Sequence, residues 1–139
     1  MTLAPGSWPT PLLNAVRTSN RYLLNPLMLR RAGRKHFYAA AITHTGRRSG
    51  KQYTTPVVAE RITDGFVIPL PYGAGVDWLH NVLATGRASI RSQGEDFDVV
   101  QPEVIESESA LPLLSAQRRR TFERVGIKQY LQVKDRPAN

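Results

Sequence analysis

The sequence contains no cysteine. Disulfides, thiolate metal sites and cysteine nucleophiles are therefore excluded, nothing calls for an oxidising compartment, and a cytoplasmic location is expected. No apolar run approaches the ~18 residues of a membrane span. The nearest, YLLNPLML, is interrupted by Asn25 and Pro26. The opening residues lack a basic stretch followed by an apolar one, so no secretory leader is expected. Acidic residues are missing until Glu60: residues 1–59 carry nine Lys/Arg, whereas the rest of the chain carries ten basic and eleven acidic residues. Internal repeats and interdomain linkers are absent too. No G-x-G-x-x-G follows a strand, and no Walker loop is present. His36, His44 and His80 are too scattered, and too short of carboxylate company, to suggest a metal site; they read as surface or strand-end residues.

What is present suits one domain. The 139 residues, 41% of them hydrophobic, suffice for a real core. Residues 1–31 read as an irregular lead-in followed by a helix over 12–31 with a basic face, a pattern that packs on its own domain or lies on a membrane surface. HFYAAAITH (36–44) and KQYTTPVVAER (51–61) read as strands around the turn TGRRSG. Pro56 marks an edge or bulge, because it has no N–H to donate. FVIPL (66–70) reads as a third strand, so the order begins as a β-meander. Asp77 is expected to cap a short helix over WLHNVLAT, with Trp78, Leu79, Val82 and Leu83 inward and Gly86 as its stop. RASIRS and DFDVVQPEVI read as further strands around QGED. The segment 106–125 is expected to be partly helical, its RRR at 118–120 a solvated face, and KQYLQV a final strand. Adjacent strands with short inserted helices predict an α+β chain, mainly β, built on a small barrel: 36–104 as the barrel core and 105–139 as a C-terminal helical segment with a last strand.

The turn between the first two strands carries the most chemistry. Gly46 and Gly50 permit positive φ and close backbone approach, and successive N–H groups there can form an anion nest. Arg47 and Arg48 are fork-shaped donors for phosphate or carboxylate, Ser49 is a neutral donor, and Lys51 is a mobile charge. The local chemistry describes either an anion clamp or a merely hydrophilic basic turn. Ser49 lacks the G-x-S-x-G setting of an acyl-transfer nucleophile. The positive first half would steer a polyanion toward the molecule: nucleic acid, an anionic membrane or a phosphorylated cofactor.

THTGRRSGKQYTTPV followed by PYGAGVDWLHNVLATG resembles the deazaflavin-dependent nitroreductase family, whose pattern is T-x-G-R-x-[ST]-G, a later proline, a glycine-containing loop and W-x-x-N. The resemblance covers roughly residues 36–104. It implies a split β-barrel of the flavin-binding kind and coenzyme F-420, a deazaflavin on a phosphate-linked oligoglutamate tail. It implies that Arg47, Arg48, Ser49, Gly50 and Lys51 hold the phosphate and tail. Thr55 and Pro56 would border the ring, Pro69, Leu70, Tyr72 and Gly73 would run along it, Trp78 would wall the pocket, and Asn81 would bond the cofactor's polar portion. Hydride transfer to a quinone, an enone or another small electron-poor acceptor would follow, with Tyr72 or Tyr130 as proton donor. Where relatives carry S-K-G-G, this chain has Pro71, Tyr72, Gly73 and Ala74, so nitro-group reduction is not carried over. Three alternatives stand beside this reading: FMN or haem in the same barrel, a carrier without turnover, and a basic module for nucleic acid or a membrane face. Few aromatics flank the basic turn, which disfavours nucleic acid. Peripheral membrane contact through the N-terminal helix, and a monomer or homodimer, remain compatible with the reductase.

Overall fold

The structure, a computed structural model, describes residues 31–35 and 39–137. Apart from Arg31, the expected N-terminal helix lies outside the described residues, as does the start of the first expected strand.

Seven antiparallel strands form one sheet: β1 (Ala40–Thr45), β2 (Gln52–Val57), β3 (Glu60–Ile62), β4 (Gly65–Pro69), β5 (Arg87–Ser92), β6 (Glu95–Glu106) and β7 (Gln129–Asp135). Their spatial order is β2-β1-β5-β6-β7-β4-β3. The expected strand over 51–61 is thus two strands at opposite edges, and β2 does not pair with β3 as a meander would require. Only Val58 and Ala59 join them. Three Cα–Cα steps reach about 11 Å, whereas a flat seven-strand sheet is roughly 29 Å across. The sheet must curl until its edges nearly meet, and it does so as a split half-barrel.

Local chemistry explains the corners. Gln93 and Gly94 both take positive φ (51° and 80°), which gives the β5–β6 hairpin its tight turn. In β6 the register with β7 shifts between Val100 and Glu103, where Gln101 has φ 54°. This bulge bends a twelve-residue strand: Glu95 to Val100 pair with β5, while Val99, Val100 and, past the bulge, Glu103 to Glu106 pair with β7. Every residue of β4 is buried, as a strand covered on both faces requires. Phe66 and Ile68 enter the barrel interior with Ile42, Ile90, Val99, Leu131 and Val133. Val67 faces the other way, into a second cluster with Tyr130, Phe122, Leu114 and Ala110.

Beside the strands stand three α-helices, α1 (Asp77–Thr85), α2 (Ser107–Ala110) and α3 (Ala116–Val125), and two single 3-10 turns, Gly73–Gly75 and Leu111–Leu113. The Ser115 hydroxyl caps α3 by accepting from the Arg118 N–H, and Gly126 ends it at φ 79°. On α1 the expected face is buried at Trp78, Leu79 and Val82, but Leu83 is 41% exposed. Asn81 is buried in its stead, because positions 78, 81 and 82 share a stripe at helical spacing. Gly86 stops α1 in the left-handed region as expected. Asp77 is not the cap: Val76 occupies that position and no side chain caps the helix. Among the described residues no helix is long and apolar enough to cross a membrane.

Candidate functional site

The β1–β2 turn stands beside the first turn of α1. Its backbone is largely self-satisfied. The Gly46 N–H donates to the Lys51 carbonyl (2.7 Å) and the Gly50 N–H to the Gly46 carbonyl (2.9 Å). The Lys51 N–H donates to Ser49 Oγ (3.2 Å), and the Arg47 N–H donates to Asn81 Oδ1 (3.1 Å). The expected nest of free N–H groups is therefore mostly spent within the protein. Gly50 needs its φ of 74°, and a Cβ on Gly46 would press on Ser49 Oγ at 2.7 Å. Both glycines serve the turn's own geometry.

The two arginines differ. Arg47 turns back on α1, donating to Asn81 Oδ1 at 2.8 Å and reaching Asp77 Oδ1 at 3.4 Å. Asp77 is 80% exposed in that ion pair, so the pair adds little stability by itself. The bond to buried Asn81 is the stronger tie. Arg48 and Lys51 are exposed, and no side-chain hydrogen bond or ion pair to another described residue engages either. They are the cations the turn offers to a ligand, with Ser49, whose hydroxyl also meets the Tyr53 hydroxyl at 3.3 Å, beside them.

Behind the turn lies a buried polar chain that sequence reasoning missed. Asn81 Oδ1 accepts from Arg47, so its Nδ2 faces His44 Nδ1 at 3.1 Å and donates to it. His44 Nδ1 is then unprotonated. Nε2 carries the ring proton and donates to Thr55 Oγ1 at 3.0 Å. His44, Thr55 and Asn81 are all buried, and Tyr53 stacks on the imidazole at 5.9 Å. The signal was in the register: His44 shares its inward parity with Ala40 and Ile42. Thr55 and Asn81, both expected at the ligand, are bonded within the protein here, Thr55 to His44 and Asn81 to His44 and Arg47.

Burial pushes the His44 pKa down from 6.5 to about 4. The Asn81 amide, which donates to the lone pair that a second proton would need, acts in the same direction. Neutral His44 is the native form, whereas the unfolded imidazole gains a proton near its ordinary value. Between pH 6.5 and about 4 the unfolded state binds more protons than the native one, so stability falls as the pH falls. The expected loss over that window is on the order of 3 kcal/mol. Urea melts at pH 7 and pH 4.5 should show a steeper decline for wild type than for His44→Asn; equal declines would refute the assignment.

At the far end of β2 the chain builds an apolar cleft. Pro56, Val57 and Val58 form one wall, and Pro69, Leu70, Pro71, Tyr72 and Gly73 form another. Val76 and Trp78 close the base. Six of the expected ring-contact residues thus meet in one place: Pro56, Pro69, Leu70, Tyr72, Gly73 and Trp78. The loop is pinned at both ends. The Leu70 N–H donates to the Gln129 carbonyl (3.0 Å), and His80 Nε2 donates to the Ala74 carbonyl (2.9 Å). Tyr72 is 49% exposed at the lip. The enclosed space is about 20 Å³, roughly one water's worth, so a ring must lie across the mouth or part the walls. Tyr130 is not at this cleft. It is fully buried in the second cluster, its hydroxyl donates to the Ile127 carbonyl at 3.3 Å, and burial raises its pKa to about 12. Buried there and bonded to the Ile127 carbonyl, it is not among the residues that line the cleft. No group of His, Asp or Glu among the described residues could hold a metal ion.

The curled antiparallel sheet is a split half-barrel that carries a cationic hairpin turn and an apolar cleft on one strand. A solved structure described as a domain-swapped dimer shares the fold, with a TM-score of 0.54 at 15% identity over 70% of this chain and 80% of that chain. An F-420 reductase overlaps at TM-score 0.49 with 7% identity over 72% of this chain and 87% of its own. An F-420-H2 dependent reductase overlaps at 0.45 with 15% identity over 68% and 93%. Among curated proteins none matches. The family model for F-420H(2)-dependent quinone reductases matches residues 35–125, most of the chain, and the chain belongs to that family. It is an F-420-dependent reductase, and its cofactor is coenzyme F-420; the FMN alternative finds no support.

The residues present fit that cofactor. A phosphate and glutamate carboxylates need cations free to meet them, and the Arg48 and Lys51 side chains are exposed, with no partner among the described residues. A flat ring needs an apolar, water-poor wall, which the proline-rich cleft supplies.

Proposed function

We propose that the protein reduces a quinone, or a comparable electron-poor acceptor such as an enone, at the mouth of the Pro56–Trp78 cleft. The observation that carries this reading is the placement of two unlike surfaces on one strand. The free cations precede β2 and the apolar cleft lies at its end, with about 17 Å of extended chain from Lys51 to Pro56. That is the layout for a ligand with an anionic tail and an apolar head.

Arg48, Lys51 and Ser49 hold the phosphate and carboxylates, and Gly50, its N–H bonded to the Gly46 carbonyl, shapes the turn that presents them. Arg47 braces the turn against α1. Pro56, Pro69, Leu70, Gly73 and Trp78 flank the ring and exclude water, which orients it and lowers the local dielectric constant. When bound in its reduced form, the deazaflavin supplies a hydride. Tyr72, half-exposed at the cleft, would give a proton to the acceptor oxygen. A solved neighbour is a domain-swapped dimer, which supports a homodimer over a monomer for this chain.

The test is anaerobic mixing of the protein with reduced F-420 and a simple naphthoquinone. The expected result is protein-dependent return of the oxidised cofactor's absorbance, saturable in quinone. Bound cofactor that neither a quinone nor an enone can reoxidise would overturn the reading and leave a carrier.

A further inference from the structure

We propose that His44 is a positioning residue for cofactor binding: neutral, it fixes the orientation of the Asn81 amide, and through it the Arg47 backbone and the whole anion-binding turn. The inference rests on the reading that this turn holds the cofactor's phosphate and tail.

The argument is one of donors and acceptors. The Asn81 amide can face the turn in two ways. Only with Oδ1 toward Arg47 can it accept both the Arg47 N–H (3.1 Å) and Nη1–H (2.8 Å). That orientation places Nδ2 against His44, which must then present a lone pair, and Nδ1 at 3.1 Å does so. Thr55 completes the selection by accepting from Nε2. All three side chains are shielded from water, so a mismatched pair there has no solvent to repair it. A second proton on His44 would set N–H against N–H. The amide would flip, its NH₂ would face the Arg47 donors, and the turn would lose its tie to α1.

The surroundings contain charges of both signs. From β2, Tyr53 stacks on the ring. From α1, Asp77 reaches the network only through Arg47. Arg87 of β5, Asp98 of β6 and Arg136 after β7 share with His44 the hollow at this end of the barrel. Simple electrostatics would make protonated His44 attract an anionic ligand more strongly. The positioning role requires the reverse, and this difference in sign makes it testable.

The experiment pairs F-420 titration, read by cofactor fluorescence, with ¹⁵N NMR of the free protein. At pH 7.5, His44→Leu should raise the Kd about tenfold, the equivalent of one buried hydrogen bond. His44→Asn, whose Oδ1 can stand where Nδ1 stood, should recover most of that affinity. In the wild-type free protein the Arg47 amide resonance should move as His44 titrates. In His44→Asn that transition should vanish. Unchanged affinity in His44→Leu, or an Arg47 transition that persists in His44→Asn, would overturn the proposal. If His44→Leu does not fold, the His44→Asn titration decides alone. If wild type binds no F-420, the reading of the turn fails, and the Arg47 resonance still tests whether His44 positions it.

Discussion

Gly65→Ala is expected to destabilise the protein more than any other single-methyl addition among the described glycines. Gly65 opens β4 opposite Lys134 of β7. An added Cβ would run into the Val133 carbonyl oxygen and stand 2.9 Å from the Lys134 Cα. Both are backbone atoms, so no side chain can swing aside. The strands would have to part at the pairing that joins β3 and β4 to the rest of the sheet. A loss of about 3 kcal/mol or more is expected, which corresponds to a melting temperature lower by roughly 10 °C. Gly75→Ala is the control. No atom lies within 4 Å of its added Cβ, and its melting temperature should stay near that of wild type. Circular dichroism melts of the two variants check the contrast.

The second large effect is on the ligand. Arg48→Ala with Lys51→Ala should raise the Kd for F-420 by about a hundredfold, at roughly 1.4 kcal/mol for each charge-assisted hydrogen bond to the cofactor that the variant cannot make. Stability should stay within about 0.5 kcal/mol of wild type, because both side chains are exposed and neither bonds another described side chain. The remaining affinity should depend less steeply on salt. Fluorescence titration at two ionic strengths, beside a thermal melt, reads all three quantities. A large fall in melting temperature with unchanged affinity would reverse the roles assigned to these residues.

The contrast between the two arginines shows what the sequence could and could not disclose. GRRSGK announces a glycine-bounded cationic turn, and the turn is there. Which arginine is tied to α1 depends on where α1 lies, and α1 is 30 residues away in the chain. The same limit governs the sheet. KQYTTPVVAER reads as one strand from Thr54, Thr55, Val57 and Val58, and nothing local marks its division into β2 and β3 at Val58 and Ala59. The division follows from closing the barrel, a long-range requirement. Pro56 was a legible edge marker because a missing N–H is a local fact, and β2 is indeed an edge strand. Gly65 stands just ahead of FVIPL, and nothing local in the sequence marks its role. The close approach of the β7 backbone, which makes it indispensable, belongs to the packed sheet.

The cleft was better foreseen than the polar chain behind the turn. Apolar residues near a family-like motif gather in one place because the β4 end and the α1 start are short-range neighbours through the Leu70–Val76 loop. The bond between His44 and Asn81 was not foreseen, for a physical reason. A polar side chain on an inward stripe is stable only if its partner arrives from another element, and the pairing of β1 with α1 cannot be read from either segment. Tyr130 illustrates the converse. Its hydroxyl suggested chemistry, but β7 turns it into the second core, where packing is its role.

The most direct test of the central claim, that the Arg47–Lys51 turn binds the cofactor through its anionic portion, is a paired titration of the wild-type protein. One ligand is F-420; the other is the same deazaflavin without phosphate and glutamates. The expected result is saturable binding of both, weaker by at least about tenfold for the stripped ligand, with salt sensitivity confined to intact F-420. Equal affinity for the two, insensitive to salt, would contradict the claim and place all the binding energy in the Pro56–Trp78 cleft.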